Sequence, residues 1–220
     1  MYIDIHTHNQ QELTDVLSIK NIRMGQPDNP NPDHGWFSAG VHPWDSHLPY
    51  QDREVLVKQV KHPNNLAIGE CGLDHLRGAD PGTQLAWFTF QVQLAETLKK
   101  PVIIHCVQAW QELIALKKKI QPEVPWIIHG FRGKSELAEQ LVLKGFYISF
   151  GEILLSSDHP PVASLQKVPA NRLFLETDTS QVSISTIYQA AAQIKGLSLA
   201  DLQQQMTQNF TLVFGTYVTP

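Results

Sequence analysis

The chain has 220 residues, 42% of them hydrophobic, which is enough to bury one substantial core, so we predict a single domain over residues 1–220. A formal net charge of −4 and a pI near 6.2 exclude a broad basic surface, so a nucleic acid could be held only through local contacts. Met1 leads directly into YIDI rather than into a basic and apolar leader, and no apolar stretch approaches the roughly 20 residues that span a bilayer. We therefore expect a soluble, cytoplasmic protein that does not contact a membrane.

Apolar runs alternate with helical patterns along the chain, which is typical of repeated βα units with a parallel sheet. The predicted strands cover Tyr2–His6, Val16–Arg23, Phe37–Val41, Leu66–Gly69, Val102–His105, Trp126–His129, Phe146–Phe150 and Leu173–Glu176. Eight is the strand number of a TIM-type (β/α)8 barrel. We therefore predict the α/β class with this architecture.

The clearest helical pattern covers Gln84–Lys99, where Leu85, Phe88, Val92, Ala95 and Leu98 share one face. Further helices are predicted over Arg53–Val60, Trp110–Ile120, Ser135–Lys144, Ile184–Ile194 and Leu199–Phe214, the last with Ser198 as its N-cap. The stretch from Thr14 to Phe37 has room for a strand but not for two helices. We therefore expect a trimmed barrel, with helices missing around the first three strands.

Four histidines and two carboxylates occupy the ends of predicted strands or the positions just after them. They are His6, His8, Glu70, His105, His129 and Asp178. In a barrel the C-terminal ends of all strands meet at one mouth, and imidazoles and carboxylates are common ligands of divalent metals. The pattern therefore predicts a binuclear metal centre at the mouth of the barrel.

Residue type and spacing suggest a role for several of these side chains. His6 and His8 lie at positions i and i+2, so both imidazoles point to the same face of a strand and can reach one ion. Glu70 has two carboxylate oxygens and can bridge two cations, and Asp178 can ligate a metal and also accept the proton of a bridging water. The alternative for the histidines is structural, in which each only satisfies a hydrogen bond at a strand end.

Three other residues are candidates for substrate binding. His42 in GVHPW follows a strand, Arg77 lies just past Glu70 where it could meet a phosphate oxygen, and Arg132 in HGFRGK precedes a predicted helix whose N-terminus favours an anion. The alternatives are a structural histidine before a proline turn and arginines in solvated loops.

The series IDIHTH, GVHPW, AIGECGLD, PVIIHC, IIHGFRG and LETD, with the closing NFTLVFG, resembles the TatD-like metal-dependent hydrolase family of the amidohydrolase superfamily. The resemblance runs from Tyr2 to Gly215. It implies a TIM-type barrel in which two divalent ions activate water to hydrolyse an ester, most often a phosphodiester of DNA. By position, the resemblance assigns the first metal to His6, His8 and Asp178, the bridge to Glu70, and the second metal to His105 and His129.

The ligand types suit Zn, Mn, Ni or Fe, and also admit Mg, so the identity of the two ions stays open. The chain departs from the family at two places. Thr179 and Ser180 follow LETD where the family usually has Ala-Pro and an arginine-bearing loop, and Val107 and Gln108 stand where it tends to place an arginine.

Three hypotheses for the function follow. The chain is a phosphodiesterase or deoxyribonuclease acting on DNA ends, an amidohydrolase-type enzyme cleaving a C–N or carboxylic ester bond of a small molecule, or a non-catalytic metal-binding scaffold. Cleavage direction and oligomeric state stay open as well.

Overall fold

The computed structural model describes residues 1–9, 14–27, 29–49, 51–156 and 160–215. A strand forms at each of the eight predicted places: β1 (Tyr2–Thr7), β2 (Val16–Arg23), β3 (Trp36–Gly40), β4 (Asn65–Asp74), β5 (Val102–Val107), β6 (Trp126–Ile128), β7 (Phe146–Phe150) and β8 (Leu173–Leu175). The α-helices are α1 (Asp52–Val60), α2 (Pro81–Leu98), α3 (Trp110–Ile120), α4 (Ser135–Leu143), α5 (Pro160–Lys167), α6 (Ile184–Lys195) and α7 (Leu199–Phe214).

The chain divides into two compact units. The first unit consists of Met1–Ile19 and Ile127–Pro220, and the second unit is Lys20–Trp126.

In the second unit, β3, β4 and β5 pair in parallel and α2 packs against β4. Helix α2 begins at Pro81, whose missing N–H needs no partner in the first turn, and the Asp80 side chain caps it by accepting from the Thr83 N–H. The predicted apolar face is buried at Phe88, Val92 and Ala95. Burial of such a face, more than helix propensity, holds a helix of this kind in place.

In the first unit, β7 and β8 pair in parallel, and Thr7 of β1 bridges to Asp178 just after β8. Helices α6 and α7 are capped by Ser183 and by the predicted Ser198, each accepting a backbone N–H. The buried Asn209 of α7 donates to the carbonyls of Ala170 and Leu173 and so fixes the start of β8.

Two differences from the sequence-based expectations have clear physical reasons. Helix α5 was not predicted; prolines are tolerated in the first turn of a helix, and here Pro161 and Leu165 are buried. Strand β4 was predicted to end at Gly69 and in fact continues to Asp74. The predicted trimmed architecture is confirmed for the part of the chain that the structure describes. Between β1 and β3 that part leaves out residues 10–13 and 28, and it contains no α-helix.

None of the described helices has the length and apolar character needed to cross a bilayer.

Candidate metal centre

Glu70 lies inside β4 rather than at its end, which corrects the prediction of a short strand. Between the pairs Ile68–Val102 and Cys71–Ile104 the register shifts, because β4 advances three residues while β5 advances two. Such a β-bulge redirects a side chain next to the extra residue. The bulge therefore explains how Glu70 can be aimed into a site from the middle of a buried strand.

Glu70 is flanked by two histidines of the second unit. Its Oε1 lies 3.1 Å from His42 Nε2 and 3.0 Å from His105 Nδ1. All three side chains are largely buried, and the His42 and His105 ring centroids are 4.5 Å apart. Glu70 and His105 come together because β4 and β5 pack closely at Gly72. A Cβ at this position, where φ is +148°, would lie 2.0 Å from the His105 carbonyl oxygen. Glycine is required there.

Asp74 and Trp44 close these contacts into a ring. Asp74 Oδ2 lies 3.2 Å from His105 Nε2 and accepts a hydrogen bond of 2.7 Å from Trp44 Nε1. The backbone N–H of Trp44 in turn donates to His42 Nδ1 at 3.1 Å. We call the closed circuit of His42, Glu70, His105, Asp74 and Trp44 the histidine ring. Neither Asp74 nor Trp44 was among the residues predicted to form the site.

The Trp44 N–H determines the tautomer of His42. Because Nδ1 accepts this hydrogen bond, neutral His42 carries its proton on Nε2 and donates to Glu70. Burial lowers the pKa of His42, against the opposing effect of the Glu70 hydrogen bond and charge, which favours this neutral form. His42 is therefore a hydrogen-bond donor that orients Glu70.

The contact between Glu70 and His105 suits a cation. In the tautomer in which His105 Nε2–H donates to Asp74, the Nδ1 lone pair faces Glu70 Oε1 at 3.0 Å. Two acceptors at this distance attract only with a proton or a metal ion between them. A histidine that binds a metal with one nitrogen and donates to a carboxylate with the other is a recurrent arrangement in metal sites. This donor set therefore fits a divalent ion.

Asp74 is well supplied with donors. Burial by itself raises the pKa of the Asp74 carboxyl, but hydrogen bonds from Trp44 and the Leu76 N–H outweigh it and lower the pKa. The Asp74 side chain is therefore held ionised, as an acceptor for His105 requires.

In the first unit, His6, His8 and Asp178 form the second donor set. Asp178 Oδ1 lies 3.8 Å from His6 Nε2 and 3.6 Å from His8 Nε2. These distances are longer than hydrogen bonds, and tetrahedral metal–ligand bonds of about 2.0–2.2 Å would place neighbouring ligand atoms about 3.3–3.6 Å apart. The three predicted ligands of the first metal are thus grouped as a metal site requires.

The backbone of Asp178 is held by the same two histidines. Its N–H donates to the His6 carbonyl and its carbonyl accepts from the His8 N–H, each at 2.9 Å. Asp178 has φ +53°, a left-handed conformation that is uncommon outside glycine and asparagine or aspartate. Such strain persists only where the surroundings enforce it, and it concentrates at functional sites.

His129 lies beside His6, with ring centroids 4.4 Å apart. Its Nδ1 is 3.3 Å from Oε1 of the fully buried Glu176, which also accepts the Gly130 N–H at 2.6 Å. Burial raises the pKa of Glu176, but its hydrogen bond with His129 and the nearby histidines outweigh this and lower the pKa. Sequence reasoning missed the role of Glu176, although an acidic residue ending an apolar strand two positions before Asp178 was a usable signal.

Asp4 holds the segment just before Asp178 through two hydrogen bonds. Its carboxyl accepts from the Thr177 N–H at 3.0 Å and from the Thr177 hydroxyl at 2.6 Å. Burial raises the pKa of Asp4 to about 7, with the Thr177 hydrogen bonds acting against the shift. Asp4 therefore helps to fix the segment that carries Asp178.

The two arginines predicted to bind substrate lie in different units. Arg132 is exposed and lines a small cleft of about 30 Å³ together with Asp178, Glu152 and Ser180. Arg77 is exposed, and its guanidinium carbon lies 4.9 Å from the centroid of the Trp44 ring. The Arg77 loop comes this close because Gly78, with φ +95°, has no Cβ, which would lie 2.3 Å from the Pro43 carbonyl oxygen.

The family model described as TatD related DNase matches residues 9–215. The 3'-5' ssDNA/RNA exonuclease TatD of Edwardsiella piscicida is 36% identical over 152 residues, which are 67% of this chain and 58% of that protein. The uncharacterized metal-dependent hydrolase YcfH of Escherichia coli strain K12 is 29% identical over 198 residues, 83% of this chain and 74% of that protein. The chain therefore spans less than two thirds of the exonuclease.

Two solved structures share the fold. The TatD homologue YJJV from Escherichia coli K12 aligns with a TM-score of 0.80 and a TatD family hydrolase from Entamoeba histolytica with 0.78, each at 20% identity and over 98% of both chains. These alignments confirm the predicted fold class, a TIM-type (β/α)8 barrel. Since the family model covers nearly the whole sequence, this chain belongs to the TatD-related DNase family.

Proposed function

We propose that this protein is a divalent-metal-dependent hydrolase that cleaves phosphodiester bonds at an end of single-stranded DNA. The observation that carries the proposal is that each unit groups histidine and carboxylate side chains in a set that fits a metal ion. The name of the Edwardsiella piscicida relative supports the substrate class.

The proposed centre holds two ions. His6, His8 and Asp178 would hold the first, and Glu70 and His105 would supply donors to the second. The assignment of Glu70 as the bridge and of His129 to the second ion is part of this proposal. When bound, such ions lower the pKa of a coordinated water and polarise the phosphoryl oxygen.

Asp178 is the proposed proton acceptor for the attacking water. Its side chain is 35% exposed, whereas that of Glu70 is 5% exposed. A general base must reach both its proton donor and, later, the solvent, and the open carboxylate of Asp178 meets that requirement. We propose that His42 donates its Nε2–H to Glu70 and so keeps one oxygen of this carboxylate oriented.

The two arginines are the proposed phosphate contacts. Arg132 shares a cleft with Asp178, and its guanidinium can pair with an oxygen of the scissile phosphate. Stacking on Trp44 restricts the Arg77 guanidinium while leaving its edge donors available for a second phosphate or a flanking nucleotide. These cations favour a phosphodiester over a neutral amide or carboxylic ester.

The test is a substrate panel on metal-loaded protein, with the chelated protein as control. The panel holds single-stranded DNA labelled at either end, bis(p-nitrophenyl) phosphate, p-nitrophenyl acetate and a cyclic amide. We expect metal-dependent release of nucleotides and turnover of the phosphodiester. Turnover of the amide or acetate without either phosphodiester substrate would replace this proposal with the small-molecule hydrolase, and a metal-loaded protein that cleaves nothing would support the scaffold reading.

A further inference from the structure

Helix α2 carries two buried glutamines, one of which binds the backbone of Asp74 in the histidine ring and the other the backbone of Val41, next to His42. Gln84 and Gln91 lie seven residues apart, which is about two helical turns and places them on one face. Gln91 is fully buried and Gln84 nearly so. Buried amides are costly unless both their donor and their acceptor are satisfied, and here each is satisfied by backbone.

Gln91 holds the backbone at the end of β3. Its Oε1 accepts from the Val41 N–H at 2.7 Å and its Nε2 donates to the Val41 carbonyl at 3.1 Å. This two-point contact reproduces the donor and acceptor pair that a neighbouring strand would offer. Val41 directly precedes His42, so the contact fixes the backbone from which His42 enters the ring.

Gln84 makes the same contact at the end of β4. Its Oε1 accepts from the Asp74 N–H at 2.8 Å and its Nε2 donates to the Asp74 carbonyl at 2.9 Å. The same Nε2 also lies within 2.9 Å of the Arg77 carbonyl and 2.8 Å of the Ala79 carbonyl. One amide thus anchors both Asp74 and the loop that presents Arg77.

We propose that Gln84 and Gln91 are positioning residues of the metal centre, which hold the ends of β3 and β4 at the separation that closes the histidine ring. A single rigid helix carries both amides, so the backbones of Val41 and Asp74 cannot drift apart independently. The ring needs this separation, because the segment after β3 must reach β4 at two points, with the Trp44 indole at Asp74 and His42 at Glu70. Loss of either amide would open the ring and release the His42 tautomer and the orientation of Glu70.

The proposal rests on the proposed function only for its kinetic readout. The test compares Gln91→Met, Gln84→Met and Gln91→Asn with the wild type. Methionine keeps the length of the side chain and removes both hydrogen bonds to Val41 or Asp74, whereas asparagine keeps the amide but is one methylene shorter. Asparagine adds no charge to this fully buried position. Gln91→Asn therefore keeps the test decisive if a methionine variant does not fold.

Lys100→Met is the matched control. Lys100 Nζ donates to the Val60 carbonyl and to Asn65 at the start of β4, so this variant also removes a cluster of side chain to backbone hydrogen bonds in the second unit, but at the opposite end of the same strand. We expect Lys100→Met to lower the thermal unfolding temperature while leaving metal affinity and kcat within twofold of the wild type.

The measurements are Mn²⁺ affinity by calorimetry, the ¹⁵N signals of the His42 imidazole, and kcat and KM on bis(p-nitrophenyl) phosphate. We expect the glutamine variants to weaken Mn²⁺ binding by about 10-fold or more and to lower kcat similarly with little change in KM, as loss of groups that orient ligands does. The His42 spectrum should change from one Nε2–H tautomer to a mixture.

Wild-type affinity and an unchanged His42 spectrum in the glutamine variants would overturn the proposal. An equal loss of affinity in Lys100→Met would also overturn it, because the effect would then be one of general stability. If the wild type hydrolyses no phosphodiester, the proposed function fails, and the affinity and the spectrum still decide the role of the glutamines.

Discussion

The two donor sets are organised in different ways. In the second unit, side chains position one another through contacts of 2.7–3.2 Å around the histidine ring. In the first unit, Asp178 Oδ1 stands 3.6–3.8 Å from the Nε2 atoms of His6 and His8, and the backbone hydrogen bonds of Asp178 position these residues instead. Hydrogen bonds between side chains fix the tautomers of the histidines in the second unit. Hydrogen bonds of the backbone fix where His6, His8 and Asp178 lie in the first unit but leave their side chains able to respond to a ligand.

Exposure differs between the two donor sets in the same sense, apart from the fully buried His6. Glu70 and Asp74 are almost completely buried, but His8 and Asp178 have side chains that are 29% and 35% exposed. We infer that the Glu70 and Asp74 carboxylates are held fixed, whereas the Asp178 carboxylate and His8 are open to proton exchange with solvent. Four substitutions test this division.

Asp178→Asn should have the largest effect. Asparagine tolerates the left-handed backbone and keeps the shape, so the variant isolates the loss of the carboxylate. We expect kcat to fall by about 10³-fold, within the range for removal of a general base, and the bound metal to fall by one ion per chain. Asp33→Asn, an exposed carboxylate paired with His62, is the control. Undiminished turnover in Asp178→Asn would end the role given to this residue.

Glu70→Gln should come next. The amide lacks the negative charge of the carboxylate, so the histidine ring loses the anionic oxygen that faces His105 Nδ1. We expect about a 10²-fold loss of kcat and weaker binding of both ions, measured by metal analysis after dialysis. If only one ion is lost, the bridging role of Glu70 is wrong and the two donor sets act separately.

His42→Ala should have a smaller effect, because His42 orients Glu70 and does not ligate through its protonated Nε2. We expect a loss of kcat of about 10-fold with both ions retained. The control is His62→Ala, which removes a histidine paired with the exposed Asp33. It should change neither kcat nor the number of bound ions. Loss of an ion in His42→Ala would make His42 a ligand and contradict the tautomer set by the Trp44 N–H.

Arg77→Ala should have the smallest effect and should act on KM. We expect KM for bis(p-nitrophenyl) phosphate to rise about 5- to 10-fold, which corresponds to about 1–1.4 kcal/mol of lost binding, with kcat nearly unchanged. Arg172→Ala is the control, since Arg172 also stacks on an aromatic ring, with its guanidinium carbon 4.8 Å from the Tyr147 ring centroid. Equal effects of the two substitutions would assign Arg77 a packing role.

Much of the site follows from local sequence pattern. His6, His8 and Asp178 can be identified as candidates because histidine and carboxylate side chains interrupt apolar runs near strand ends, and the eight strands were recognisable by the same runs. The bulge at Glu70 could not be predicted, because an extra residue is defined only relative to the partner strand β5. The partnership of His129 with Glu176 was equally hidden, since it joins residues 47 positions apart.

The backbone at Asp178 also limits which substitutions this position can accept. A left-handed φ of +53° is tolerated by glycine, asparagine and aspartate and disfavours longer or β-branched side chains. The chemistry proposed for the site requires a carboxylate, which glycine and asparagine lack. Glutamate has the carboxylate but not the backbone preference, so aspartate alone meets both demands, and in evolution no single substitution at position 178 would leave both the conformation and the reaction intact.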